Sequence, residues 1–185
     1  MLKLSREQKI QISVFVFSIL AAILNSVALS SDTWLRTLAA GTYGLFYKCN
    51  SAGCTQLDPA TDLAQCGSAW LDAVRAFVIM ADIVMYSAVI IYTVGFFWQD
   101  DKVGIKLRWL AAILIIASGI FSLIGCVVFQ ANGVSCLLPS SAVLLLPYGF
   151  GLILAWLGFV LSILAGAMAL IANCISNKQS ERVEM

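Results

Sequence analysis

Side chains at three places in this sequence can do chemistry. The first are the thiols. Cys49 and Cys54 are separated by Asn50-Ser51-Ala52-Gly53, all turn-type residues. A hairpin with such a loop sets the two sulfurs opposite each other, at roughly the 5.5 Å Cα separation that a disulfide needs. The second is the carboxylate of Asp82, which lies inside a long apolar run. An acid in hydrocarbon is expected to be functional, as an ion ligand, a pore-facing group or the seat of a partner subunit. The third is the Cys174 thiol, placed just after the last apolar run, where S-palmitoylation acts. Histidine is absent, which removes the commonest general base and metal ligand. No phosphate-cradling glycine loop, zinc-ligand spacing or serine nucleophile elbow occurs either. The expectation is therefore a protein that is not an enzyme and uses neither metal nor organic cofactor.

The elements that must position these residues follow from composition. The chain has 185 residues, of which 61% are hydrophobic and 11% charged, with a mean hydropathy of +0.95. Soluble domains are nearer half apolar and a quarter charged. The lipid bilayer is thus the solvent for most of the chain. A net charge of +1 gives no case for nucleic acid.

A membrane helix needs about 20 apolar residues to cross about 30 Å of hydrocarbon. Four segments qualify, at 10–30, 76–98, 109–129 and 148–173, and only helices satisfy every backbone group there. Pro147 marks the expected start of the fourth. The loops are 31–75 and 130–147, and the tail is 174–185.

Lys3, Arg6, Lys9, Lys102, Lys106, Arg108, Lys178 and Arg182 fall on one side, against Arg36, Lys48 and Arg75 on the other. By the positive-inside rule both termini are cytoplasmic and both long loops external. Trp98 and Trp109 flank the short inner loop as interfacial anchors. A cleavable signal peptide ending near Ala28-Leu29-Ser30 is the alternative for the first run, but that run is longer than a usual signal core.

Within the first external loop, Trp34 to Leu38 alternates large apolar with polar residues, and Tyr43 to Tyr47 is rich in aromatics. Both read as short strands. A small sheet with little core of its own gains most from a disulfide.

Trp34, then Gly44-Leu45-Phe46, then Cys49 and Cys54, resembles the Trp…Gly-Leu-Trp…Cys…Cys signature of the claudin superfamily, which includes peripheral myelin protein and the epithelial membrane proteins. Ala69 to Phe77, with Arg75, is similar to the family's entry into the second span. Tyr148 to Trp156 is similar to the start of the fourth span in the peripheral myelin and epithelial membrane branch. The resemblance covers all four spans and both loops. Phe46 departs from the usual Trp, the Cys49–Cys54 spacing is tight, and the Trp34-to-Leu45 stretch is nearer the peripheral myelin branch. The external loops carry two further cysteines, Cys66 and Cys136, so three pairings are open. The preferred set is Cys49–Cys54 with Cys66–Cys136; the rival joins Cys49 to Cys66.

The resemblance implies a membrane α-helical fold: a bundle of four transmembrane helices under a small extracellular antiparallel β-sheet, as one domain over 1–185. It implies a plasma-membrane protein that organises cell–cell contacts or membrane domains, by adhesion or as a paracellular barrier. Its partners would be other membrane proteins in cis or trans, or further copies of itself. An auxiliary channel or receptor subunit is the second reading, and a small transporter using Asp82 the third. Asp82 has a plainer reading too, as a hydrogen-bond partner of Asn25, Ser26 or Ser118, with Arg75 bracing the loop from the interface. The small residues Gly151/Ala155 and Ser162/Gly166 are expected to serve close packing within the bundle, with an intermolecular seam as the alternative. Val183 and Met185 form a weak carboxyl-terminal PDZ pattern.

Overall fold

The computed structural model describes residues 6–36, 41–58, 62, 67, 69–98, 101–137 and 148–183. Its helices are α1 (Arg6–Ser30), α2 (Ala69–Phe97), α3 (Asp101–Leu137) and α4 (Phe150–Val183). Each holds a stretch long and apolar enough to cross a membrane: Gln8–Ser30, Ala69–Phe97, Val103–Gly133 and Phe150–Asn177. Between α1 and α2 lie β1 (Leu35–Arg36), β2 (Thr42–Tyr43), β3 (Tyr47–Asn50) and β4 (Gly53–Gln56), an antiparallel sheet in sequential order.

Three helices run well past the apolar spans. Leu71, Val74 and Val78 of α2 are buried on one face, so the packing stripe begins at Leu71, ahead of the expected start at Ala76. The helix follows that stripe into what hydropathy assigns to the loop. Residues 101–108 contain no proline and include the good helix formers Lys102, Lys106, Leu107 and Arg108, and α3 starts there. It also runs on to Leu137, past the expected end at 129, and residues 138–147 lie outside the described set. The expected start of α4 at Pro147 lies there too. Hydropathy reports the part of a helix that lipid touches, whereas packing decides where the helix stops.

The helices form a ring in which α2 packs on α3, α3 on α4, and α4 on α1, with α1 and α2 in lighter contact. The core has three levels. At the sheet end, Trp34, Leu35, Leu45 and Leu57 pack with Leu71, Phe129 and Leu152. Ala21, Met85, Ala88, Ile115 and Ala165 fill the middle. Val14, Tyr92, Ala111, Ala112 and Ala169 close the far end. Alanine at so many of these positions lets the backbones approach, and the small residues of α4 are spent the same way. A Cβ at Gly151 would stand 2.7 Å from Trp34 Cδ1, and one at Gly166 would overlap Ile116. Both small-residue pairs therefore work inside the bundle.

Candidate functional site

The site is the joint between sheet and bundle, together with the sheet surface it holds up. Trp34 is fully buried, with its ring centre 4.9 Å from that of Phe129 of α3 in an edge-to-face arrangement. Its Nε1–H donates to the Ala28 carbonyl at the end of α1, at 2.7 Å. Its backbone is held on both sides: its N–H donates to Tyr43 O, and its carbonyl accepts from Gly149 N–H. Leu35 also bridges Tyr148, and Gly151 N–H donates to Thr33 O, so the start of α4 extends the sheet.

The Gly-Leu-Phe step has a separate reason at each position. A Cβ at Gly44 would press on the Ser31 carbonyl and stand 2.7 Å from Asp32 Cα. Both obstacles are backbone, so no rotamer can relieve them. Leu45 is completely buried in the sheet-end core. Phe46 receives the Arg75 guanidinium 5.1 Å from its ring centre. Arg75, on α2, also donates from Nε to Leu45 O at 2.7 Å and from Nη2 to Leu57 O at 3.0 Å, and it pairs with Asp72 at 3.1 Å. One side chain thus holds the carbonyls that bracket β3 and β4 against the helix.

Cys49 and Cys54 face each other across the β3–β4 hairpin and are disulfide-bonded, with Cα atoms 4.0 Å apart. The tip is the two residues Ser51-Ala52, because Asn50 and Gly53 already pair. Asp32 Oδ2 lies 3.4 Å from Cys49 Sγ, a carboxylate that the sequence gives no reason to place there. Asp32 and the two sulfurs lie within 4.8 Å of one another, but the disulfide consumes both sulfurs as ligands. Cys136 is also disulfide-bonded and packs beside the sheet-end core. Cys66 lies outside the described residues. Lys48 pairs with Asp62, whose Oδ2 also accepts from Asp58 N–H at 3.1 Å. The bond from Lys48 holds the Asp62 carboxyl below the usual carboxylate value, against a smaller opposing effect of desolvation.

What the joint leaves outward is Tyr47, half-exposed, and the whole of β4. Asp82 stands apart from it, on α2 within the bundle. Ser26 of α1 contacts its two oxygens at 2.9 and 3.2 Å, and the Tyr86 hydroxyl lies 2.9 Å from Ser26 Oγ. Of the three partners open to Asp82 from the sequence, Ser26 takes the contact. Ser118 donates instead to Ala81 O, and Asn25 packs against Gly158 and Ser122. Tyr86, 47% exposed on the outer surface of the bundle, was not expected in this group. Cys174 is free and exposed near the end of α4, Val183 is the last residue of that helix, and Met185 lies outside the described residues.

Residues 9–169 match the family model described as PMP-22/EMP/MP20/Claudin. The chain belongs to that family. The match takes in the sheet, α2, α3 and the greater part of α1 and α4. Epithelial membrane protein 2 of Danio rerio is 25% identical over 158 residues, covering 85% of this chain and 92% of that protein. The similarity agrees with the epithelial and peripheral myelin branch, and this PMP-22/EMP/MP20/Claudin protein is a membrane protein with a disulfide in its sheet.

Proposed function

We propose that this chain organises cell–cell contacts or membrane domains at the plasma membrane, through the sheet that Trp34 and Arg75 fix on the bundle. The carrying observation is that the sheet is tied to α1, α2 and α4 at once while β4 and Tyr47 remain outward. A rigidly mounted surface pays little ordering entropy when it meets a partner. The partner is another membrane protein, in cis or trans, or a second copy of the chain. The charge bias of the sequence supports cytoplasmic termini and an external sheet, where the Cys49–Cys54 bond would persist.

Expression in cells that lack junction strands tests this. Enrichment at contacts between two expressing cells, and not at free edges, is expected. Tags at both termini should be protected in intact cells, while one inserted after Asp58 should be accessible.

The group of Ser26, Asp82 and Tyr86 supports a second reading, an auxiliary subunit of a channel or receptor. A polar group that reaches the outer surface of α1 and α2 offers hydrogen bonds to a partner helix, where hydrocarbon offers none. Stoichiometric co-purification with a channel, and uniform surface distribution, would favour it. A transporter is less well supported, because the Asp82 oxygens are held at the α1–α2 edge rather than on a central axis. Exposed Cys174 is open to palmitoylation, and the Val183–Met185 tail has the apolar spacing that a PDZ domain captures.

A further inference from the structure

Between α1 and α4, at the end of the bundle away from the sheet, lies a groove of about 250 Å³. Lys9, Ile10 and Ser13 of α1 form one wall, and Met168 and Ile171 of α4 form the other. Ile10 and Met168 pack on the far-end core of Val14, Ala111, Ala112 and Ala169, which gives the groove its floor. Ile171 is more than half exposed, so the groove opens to the outer surface of the bundle. The Ser13 hydroxyl is turned back to the Lys9 carbonyl, to which it donates at 3.0 Å. Among the described lining residues Lys9 brings the only charge, and no carboxylate among the described residues pairs with it.

The lining is ordered by depth. The apolar span of α1 begins at Gln8, and that of α4 ends at Asn177. Lys9 therefore stands at the membrane edge, with Ser13 about 6 Å deeper along α1. On α4, Ile171 lies about 9 Å inside Asn177, and Met168 about one turn deeper still. A lysine stem can line such a groove while its ammonium reaches the headgroup layer. The charge thus sits at the edge and the apolar walls lie below it. A phospholipid has the same order, phosphate outermost and acyl chain beneath. A free anion would match the lysine and leave the apolar walls bare. An uncharged apolar molecule would fill the walls and leave the ammonium without a counter-charge.

We infer that this groove holds one anionic phospholipid, with its phosphate at Lys9 and the upper part of one acyl chain between Ile10, Ser13, Met168 and Ile171. Charge complementarity selects the headgroup, and the apolar walls hold the chain in place below it. Under the orientation proposed above, the lipid belongs to the cytoplasmic leaflet, where anionic lipids meet basic sites on membrane helices. The groove stands at the opposite end of the bundle from the sheet. Binding to the purified chain depends neither on that orientation nor on the role of the sheet, so failure of this claim can be told from failure of either.

The test is native mass spectrometry of the full chain in detergent, titrated with phosphatidylglycerol, with phosphatidylcholine of the same acyl chains, and with inorganic phosphate. A one-to-one lipid adduct is expected, favouring phosphatidylglycerol by about fivefold. Lys9→Gln should lower the phosphatidylglycerol adduct about fivefold, to the phosphatidylcholine level, and leave the phosphatidylcholine adduct unchanged. The Ser13 hydroxyl bonds within its own helix, so Ser13→Leu fills the groove and spares the bonds between helices. It should weaken both lipid adducts about threefold. Phosphatidylglycerol should also raise the melting temperature of the unsubstituted chain more than that of either variant. Equal binding of the two lipids to the unsubstituted chain overturns the proposal, as does an undiminished phosphatidylglycerol adduct in either variant. Displacement of the lipid by equimolar inorganic phosphate would mark a free-anion site and overturn it too. So would a lipid-free dimer that Ser13→Leu splits, which would assign the groove to a second copy of the chain.

Discussion

Arg75 lays its guanidinium over Phe46, 5.1 Å from the ring centre, while donating to the carbonyl of Leu45, the residue just before it. A helix side chain thereby grips the sheet by both a face and an edge. The aromatic of the Gly-Leu-aromatic step is the floor of that grip, which gives a physical reason for the residue type. Arg75→Ala should destabilise the chain by about 2–4 kcal/mol, through two charge-assisted bonds to backbone carbonyls. Arg75→Lys keeps the charge but cannot hold both carbonyls and the ring, and should recover less than half of that. Phe46→Trp offers the better cation–π face and should be neutral or stabilising by about 0.5–1 kcal/mol. Melting temperatures in detergent, with surface delivery in cells, check all three.

Gly44→Ala should cost about 1–3 kcal/mol and reduce surface delivery, because the added methyl meets the backbone of Ser31 and Asp32. Gly133→Ala in α3 is the matched control. Its nearest neighbour would be Leu35 Cδ1 at 3.4 Å, an ordinary contact. The gain in helix propensity should leave that variant as stable as the original or more so. Equal loss at both positions would contradict the close-approach account of Gly44.

Replacing Cys49 or Cys54 by Ser should free one thiol and destabilise the loop by about 2–5 kcal/mol. Peptide mapping without reduction should find the Cys49–Cys54 link, and a second link joining Cys136 to Cys66. A Cys49–Cys66 peptide would refute both.

The Lys48–Asp62 pair gives the sheet an acid-labile fastening. Lys48 depresses the folded-state value of the Asp62 carboxyl. The unfolded value is about 3.9, so the contribution is fully present above that pH and lost as pH falls through the lower, folded value. The melting temperature of Lys48→Met should trail that of the original chain by a constant margin from neutral pH down to about 5. The margin should close below about 4. A margin that stays constant into acid would show that Lys48 acts by packing alone. Both side chains are partly exposed, so moderate salt should also narrow the gap.

Much of this was legible in the sequence, and the parts that were not have a common cause. Four spans could be read because a bilayer demands long apolar runs, and the hairpin because Asn50 to Gly53 is turn chemistry between two cysteines. Trp34, Gly44, Leu45 and Arg75 could be picked out by resemblance, but their spacing alone did not show that they build one joint. That joint depends on Ala28, Tyr43, Leu57, Phe129 and Gly149, which meet only once the bundle closes. The extra turns of α2 and α3 were hidden because hydropathy sees polar residues where packing still sees a buried face. Asp32 beside the disulfide and Tyr86 beside Ser26 come from tertiary geometry, which no periodicity encodes.

Asp82→Asn separates the readings of the intramembrane group. Ser26 has a single hydroxyl proton. If it goes to Asp82, the Tyr86 hydroxyl must donate its own proton into Ser26 Oγ, and the chain of bonds runs from the outer surface inward to the acid. Asn at position 82 still offers a carbonyl oxygen to Ser26 and has nearly the same shape, while the carboxylate charge is gone. Folding, surface level and contact enrichment should therefore persist in Asp82→Asn, with a stability change within about 0.5 kcal/mol. Ser26→Ala should cost more, about 1–2 kcal/mol, because it strands both Asp82 and Tyr86. The order of these two variants is the diagnostic, since a purely structural contact depends on the hydroxyl between the two groups and not on the charge. Should Asp82→Asn instead abolish co-purification with a channel at unchanged surface level, the charge seats a partner and the auxiliary-subunit reading prevails. Should it abolish solute flux in liposomes containing only this protein, the acid carries an ion. The first outcome is expected, because the carboxylate already faces a donor within its own bundle.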